Sequence, residues 1–247
     1  MSGGSGSCPL KNLAAPKSTV TGLQSWLGWA GLGGKQRQQE TVIDGVAQQG
    51  YNVAANDEHF DPSTKFPGQK RDLSGTRTVS TIPKSNQHTP KHQPDGLGKW
   101  VYPSEQQYFN AMKRKGYDPS EDDVSVILAI HNTVNELGWS KILEWEALRG
   151  CKTPILKRFM GRPKDLSPKA RILVALGKDP PFDRHDWVIE RDDGKEVRYV
   201  IDFYAIESNG GSHGVGAPVH LDVRPALDSP GAFLDRLQWT LGFKTPR

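Results

Sequence analysis

Hydrophobic positions between residues 118 and 150 recur at intervals of three and four, which is the spacing of one face of an α-helix. The pattern predicts a long helix that begins at Asp118, has Pro119 in its first position and Glu121 in its cap, and runs to Gly150. Its inner face consists of Val124, Ile127, Leu128, His131, Asn135, Gly138, Trp139 and Ile142. Gly138 weakens the helix locally, which leaves a kink or a division open.

Three shorter helices and one β-hairpin are predicted around this long helix. Capping residues and terminal glycines predict helices at 106–115, 167–176 and 229–239. The hairpin has alternating arms at 187–191 and 196–203, joined by a turn that contains Asp-Gly, and residues 219–223 predict a third strand. Helices and strands do not alternate regularly. The sequence therefore predicts an α+β fold in which several helices pack with a small antiparallel sheet.

The composition changes near Pro83. Residues 1–83 are rich in Gly, Gln, Ser, Thr and Pro and have few clustered hydrophobic residues, so they are predicted to be flexible and largely disordered. Residues 84–247 are predicted to form the folded domain. An apolar aromatic segment at 23–32 interrupts the first region, and it either contacts a membrane surface or docks loosely on the protein.

Charge and cysteine content narrow the classes of function. The net charge is +4, from 32 basic and 28 acidic residues that are interspersed, so nucleic-acid binding is not indicated. Two cysteines, Cys8 and Cys151, are too few for a disulfide framework or a four-cysteine zinc site. No segment approaches the roughly 18 apolar residues of a spanning helix, and the start lacks the pattern of a secretory signal.

The most informative polar residue is His131, which lies in the middle of the apolar face of the long helix. One interpretation is a core histidine that is satisfied by a hydrogen bond; the other is a ligand for a metal. Trp139 and Trp145 lie about two and four helical turns further on, and flat aromatic surfaces suit a large planar ligand such as a porphyrin.

Several longer motifs in order resemble one known family. They are His131-Asn132 with Asn135-Glu136, Trp139, Trp145-Glu146-Ala147-Leu148, the segments 181–187, 198–204 and 222–228, and Cys8-Pro9. Apart from the short Cys8-Pro9 motif, they lie between Trp100 and Trp239. On these residues the chain is similar to the holocytochrome c synthases, also called cytochrome c heme lyases.

The resemblance implies an enzyme of the mitochondrial intermembrane space, peripheral to the inner membrane. Such an enzyme attaches heme b to apocytochrome c through two thioether bonds, formed between the heme vinyl groups and a Cys-x-x-Cys-His segment of the client. Apocytochrome c1 is the alternative client. The resemblance also implies import without a cleaved presequence, which agrees with the absence of an Arg-rich amphipathic start.

The same resemblance implies roles for particular residues. His131 corresponds to the axial ligand of the heme iron, and Glu136 belongs to the heme site as a second catalytic residue or supports it. Without the resemblance, Glu136 lies beside the apolar face and would be a solvated helix carboxylate. Asn135 and Trp139 line or support the pocket, and Trp100 is an aromatic heme contact.

Three further residues have two interpretations each. Arg191 either binds a heme propionate or covers apolar surface, and His185 is either a second heme contact or part of a hydrogen-bond cluster with its flanking carboxylates. Cys8 either binds heme transiently or is an inert thiol, and Cys151 is expected to be structural. His88 and His92 lie in a polar segment with too few ligands for a metal site.

Two other classes of function remain open. A non-covalent heme chaperone or sensor would use His131 and Cys8 without forming bonds. A basic adaptor for an acidic partner or nucleic acid would bind no heme, and its affinity would fall steeply with salt.

Overall fold

A computed structural model of the chain describes residues 63–85, 93–94, 96–205 and 219–242. The described strands form a two-stranded sheet and a four-stranded sheet. The first has β1 (Val79–Pro83) and β2 (Lys99–Val101), and the second has β3 (Ile155–Gly161), β4 (Asp183–Glu190), β5 (Glu196–Ala205) and β6 (Val219–Pro225). The described helices are α1 (Glu105–Arg114), α2 (Val124–Ala147), α3 (Pro168–Ala175) and α4 (Pro230–Thr240).

The predicted α+β class is confirmed. The four-stranded sheet is antiparallel in the order β3-β4-β5-β6, and the predicted hairpin forms its centre, with Glu190 paired to Glu196. The predicted third strand is β6. Ser104 and Gln107 make the expected capping box of α1, while Ser167 and Ser229 cap α3 and α4.

The long helix is present but begins later than predicted, at Val124 instead of Asp118. Glu121 does not cap the helix, because its carboxylate accepts hydrogen bonds from the backbone amides of Lys70 and Arg71. The helix is not divided at Gly138, which faces the four-stranded sheet. A Cβ at that position would lie 3.6 Å from Ile201 Cδ1, so the glycine lets α2 pack close to the strands.

The folded part also begins earlier than the predicted boundary at residue 83. β1 pairs with β2, and Arg77 donates hydrogen bonds to the carbonyl oxygens of Val101 and Tyr102. Phe66 and Leu73 pack against the hydrophobic core. Residues 63–83 therefore belong to the folded domain, and the flexible character of residues 1–62 stays a prediction.

One core lies between α2 and the inner face of the four-stranded sheet. Alternate residues of β4 and β5, such as Trp187, Ile189, Tyr199 and Ile201, are at most 2% exposed and meet the apolar face of the helix. Within the described ranges, no helix is both long enough and apolar enough to cross a membrane.

Candidate functional site

A cavity lies where α2, the two-stranded sheet and the β3 edge of the four-stranded sheet meet. The space between its walls is about 440 Å³, and this volume includes open solvent. Its walls are mostly apolar and aromatic. They consist of Ile82, Gln93, Trp100, Val101, Tyr102, Pro103, His131, Asn135, Leu156, Phe159, His185 and Trp187.

His131 contributes its imidazole to this cavity from the second turn of α2. Asn132 Oδ1 lies 3.2 Å from Nδ1, and Asn135 Nδ2 lies 3.1 Å from Nε2. Tyr102 and Tyr108 approach the ring with centroid distances of 6.2 and 6.0 Å. The helical spacing that predicted a pocket-facing histidine therefore holds, and Asn135 is placed one turn away to orient the ring.

The environment of His131 keeps its ring neutral. Burial lowers the pKa to about 4, and the positive charge of nearby Lys115 acts in the same direction, while the hydrogen bond to Asn132 opposes the shift. A neutral imidazole has a lone pair on one nitrogen, which is the form that binds metals. His131 is thus in the protonation state that an iron ligand requires at neutral pH.

Glu136 lies behind the wall of the cavity. Its carboxylate accepts hydrogen bonds from Tyr102 Oη at 2.9 Å, from Thr81 N at 3.0 Å and from Thr81 Oγ1. Burial, followed by the interaction with Glu136, raises the pKa of Tyr102, so the phenol stays protonated and donates. Glu136 reaches the cavity through Tyr102 and joins α2 to β1.

Trp100 and Phe159 form an aromatic wall opposite α2. Their rings meet edge to face at 5.2 Å, and Trp100 Nε1 donates to the carbonyl of Leu156 at 3.1 Å. The structure thus places Trp100 at the cavity, and its contact with heme stays a prediction. The contributions of Tyr102, Phe159 and Trp187 were missed by the sequence analysis, because β3 had not been predicted and Tyr102 has no local signal beyond its neighbour Trp100.

His185 is the second histidine at the cavity. Its Nε2 lies 3.1 Å from Asp183 Oδ2, and its ring meets Phe203 edge to face at 5.0 Å. Both interpretations of this residue fit its position, since the ring lines the cavity and is also held by a flanking carboxylate.

Trp139 and Trp145 do not line the cavity, contrary to the expected planar surface for a porphyrin. Trp139 is 4% exposed within the core, and Trp145 stacks on Trp239 and donates to the carbonyl of Val223 at 2.8 Å. Their spacing along α2 turns both rings toward the sheet and α4. Trp139 supports the helix that positions His131 and is not part of the cavity wall.

Arg191 does not line the cavity either. Its guanidinium binds Glu146 with two hydrogen bonds of 2.6 and 2.8 Å, and Tyr199 Oη donates to the same carboxylate at 2.5 Å. Glu146 is fully buried near the end of α2, and a buried carboxylate must be paired. The guanidinium for which one interpretation was a bond to a heme propionate is therefore bound to Glu146.

Other sequence-predicted residues fall outside the described ranges. They are Cys8, the apolar segment 23–32, His88 and His92. Cys151 is described, and it is a free, partly buried thiol just beyond α2, whose pKa is raised by burial.

The chain is similar to known proteins of one family. The sequence model of the family "Cytochrome c/c1 heme lyase" matches residues 57–151 and 148–240. Two relatives named "Putative holocytochrome-c1 synthase" are 46% identical: one from Chaetomium thermophilum, over 69% of this chain and 64% of its own length, and one from Schizosaccharomyces pombe, over 68% and 76%.

A human relative named "Holocytochrome c-type synthase" is 44% identical over 75% of this chain and 70% of its own length. The match to the Chaetomium protein covers 64% of that protein, which is slightly less than two thirds of its length. No solved structure matches the chain. The family match covers most of the folded domain, including every residue that lines the cavity, and the chain belongs to the cytochrome c/c1 heme lyase family.

Proposed function

We propose that this protein attaches heme b to apocytochrome c through two thioether bonds, with His131 as an axial ligand of the heme iron. Family membership supports the reaction class. The observation that carries the proposal is the position of the His131 imidazole at the wall of an aromatic cavity. Proximal histidines hold iron in this way in many heme proteins.

The reaction needs little covalent chemistry from the protein. Each client thiol loses its hydrogen, its sulfur bonds to one vinyl carbon and the hydrogen is added to the other carbon, so no net oxidation occurs. The porphyrin and the thiols supply the reacting groups. Holding them in register is worth roughly 7–11 kcal/mol of barrier in favourable cases.

The residues of the cavity have distinct parts in this positioning. His131 fixes the iron on one face, which leaves the opposite face for the histidine of the client's Cys-x-x-Cys-His segment. Trp100 and Phe159 cover the porphyrin plane with apolar aromatic surface. Glu136 acts through Tyr102, and Asn135 sets the orientation of the imidazole.

Apocytochrome c1 is a second candidate client. Two relatives at 46% identity carry cytochrome c1 in their names, whereas the human relative at 44% carries the c-type name. Co-expression with each apocytochrome separately will show which client accumulates covalent heme.

We also propose that the protein acts in the mitochondrial intermembrane space, peripheral to the inner membrane. The family resemblance implies this location, and the segment 23–32 is a candidate contact with the membrane surface.

Co-expression with apocytochrome c followed by acid–acetone extraction tests the proposed activity. Non-covalent heme is extracted, so heme that stays with the cytochrome reports thioether formation. We expect covalent product with the natural chain and none with His131→Ala. His220→Ala is the matched control, since it removes an exposed histidine on the opposite face of the sheet.

Two outcomes would contradict the proposal. Covalent cytochrome formed by His131→Ala at the natural level would remove the axial role. A heme spectrum in the purified natural chain without covalent product would favour a non-covalent heme chaperone or sensor.

A further inference from the structure

Lys84, directly after β1, is a buried cation without a carboxylate partner in the described part of the chain. It is 3% exposed, and its Nζ donates to the carbonyl oxygen of Pro94 at 2.8 Å. The other two buried basic residues within the described ranges are Arg184 and Arg224, which face Asp186 and Asp222, each at 2.9 Å. A buried charge is normally paired with an opposite charge. Lys84 therefore differs from the rest of the folded domain.

The position of Lys84 relates it to the cavity. Side chains alternate along a strand, so Lys84 lies on the same face as Ile82, which lines the cavity. Its backbone also forms a parallel bridge with Leu156, another lining residue. The backbone of Lys84 is thus next to two residues of the cavity wall.

The carbonyl that binds Lys84 is itself fixed at the cavity. Pro94 follows Gln93, a lining residue whose side chain bonds the backbone N–H and C=O of Val101 at 2.8 and 3.0 Å. One of the three ammonium donors of a lysine is used by Pro94. The remaining donors belong to a buried side chain whose carbonyl partner directly follows a residue of the cavity wall.

We propose that Lys84 binds a carboxylate of the ligand that occupies this cavity. This inference rests on the proposed function, and the carboxylate is then one of the two heme propionates. An ammonium–carboxylate pair gives a charge-assisted hydrogen bond and supplies the missing counter-charge. Lys84 takes the role that the sequence analysis had offered to Arg191, whose guanidinium is bound to Glu146.

Titration of the purified, heme-free chain with hemin and with hemin dimethyl ester, in mild detergent and followed by the Soret band, tests this inference. Esterification removes both propionate charges and leaves the iron and the porphyrin plane unchanged. Loss of one charge-assisted hydrogen bond predicts that Lys84→Gln binds hemin roughly 10- to 100-fold more weakly. The same variant is expected to bind the dimethyl ester as the natural chain does.

Two further variants make the test specific. Lys84→Arg keeps the positive charge and is expected to retain most of the hemin affinity. Lys99→Gln removes the same charge from an exposed residue of β2, opposite Pro83, and is expected to bind both ligands normally.

The proposal is overturned if Lys84→Gln binds hemin normally, or if it loses affinity for hemin and for the ester equally. If the variant does not fold, the natural chain still decides, because equal affinity for hemin and the ester excludes a propionate contact. Failure of the proposed function has a different signature, in which neither ligand gives a histidine-ligated Soret band with the natural chain.

Discussion

His131 combines two properties that an exposed histidine lacks. Its ring is neutral at physiological pH because burial lowers the pKa to about 4, and it is held by Asn132 and Asn135 on the same helix. A fixed neutral ring needs no proton loss before it binds iron. The residue is therefore prepared for ligand binding by its surroundings, whereas Glu136 contributes one step removed, through Tyr102.

The Tyr102–Glu136 pair gives a prediction for heme binding. Tyr102→Phe removes one hydrogen bond to the carboxylate, and we expect it to cost about 0.5–1.5 kcal/mol of stability. Glu136→Leu removes the acceptor of the Tyr102 hydroxyl group and should weaken hemin binding through the freed phenol. If Glu136 acts through Tyr102, the effects of the two substitutions on hemin affinity are not additive. Either substitution alone already removes the hydrogen bond between Tyr102 and Glu136. Soret titrations of both single variants and the double variant measure this, and strictly additive effects would contradict the positioning role.

At the scale of elements, the end of α2 and the β4–β5 hairpin are joined by buried polar contacts. Glu146 is fully buried and receives two hydrogen bonds from Arg191 and one from Tyr199. These contacts fix the end of the helix on the sheet. They stabilise the element that carries His131 without touching the cavity.

Replacement of Arg191 by Met is expected to lower stability and leave heme affinity unchanged. The variant leaves a buried carboxylate without its cation, which typically costs about 3–5 kcal/mol. Lys195→Met on the same hairpin is the control, because its pair with Asp193 is exposed and worth at most about 1 kcal/mol. Urea unfolding and hemin titration measure the two effects. A selective loss of hemin affinity in a stable Arg191→Met protein would restore the propionate role of Arg191.

The turn of the hairpin predicts a pH dependence. Asp192 accepts hydrogen bonds from Thr153 Oγ1 and from the amides of Lys152 and Thr153, and these bonds lower its pKa from 3.8 to about 2. A depressed pKa stabilises the fold above pH 3.8, and this contribution is lost as the pH falls through about 2. The melting temperature of the natural chain should therefore be higher than that of Asp192→Asn at pH 7. The two melting temperatures should converge between pH 4 and 2. Thermal unfolding across this pH range measures the difference in melting temperature. Asp179→Asn, which changes an exposed residue, is the control. A difference that stays constant with pH would contradict the stabilising role of ionised Asp192.

At the scale of the whole molecule, the sequence predicted the elements whose signals are local. The periodicity of α2, the caps of the shorter helices and the Asp-Gly hairpin were all found in the structure. Glu121 was misread because its hydrogen-bond partners, Lys70 and Arg71, lie about 50 residues away in sequence. The short strands β1 and β2 have too few residues to show alternation, and a bulge between Leu156 and Arg158 interrupts β3.

The candidate site, like the fold, was predicted from the sequence only in part. His131, Asn135, Trp100 and His185 were identified, and all four line the cavity. The assignment of Arg191 failed because its partner Glu146 is 45 residues away in sequence. Lys84 has no signal in the sequence, since its importance comes from burial beside a cavity that forms only in the folded chain.

The proposed location gives a prediction for the chain as a whole. Deletion of residues 23–32 removes an apolar aromatic segment, and it should release the protein from isolated inner membranes if this segment provides the attachment. Carbonate-free sedimentation of membranes, with immunoblotting of pellet and supernatant, measures the distribution. Deletion of 33–42, a polar stretch of equal length, is the control. Unchanged pelleting of the first variant would remove the proposal.

The cavity is enclosed by contacts between distant parts of the chain. Thr81 meets Glu136 across 55 residues, and Trp100 meets Leu156 across 56. A nascent chain that has made α2 already possesses the imidazole of His131 but lacks the aromatic cover from β3. The complete pocket can therefore form only after the chain has been made through Trp187, its last lining residue, so shorter nascent chains lack the finished wall that would shelter a porphyrin.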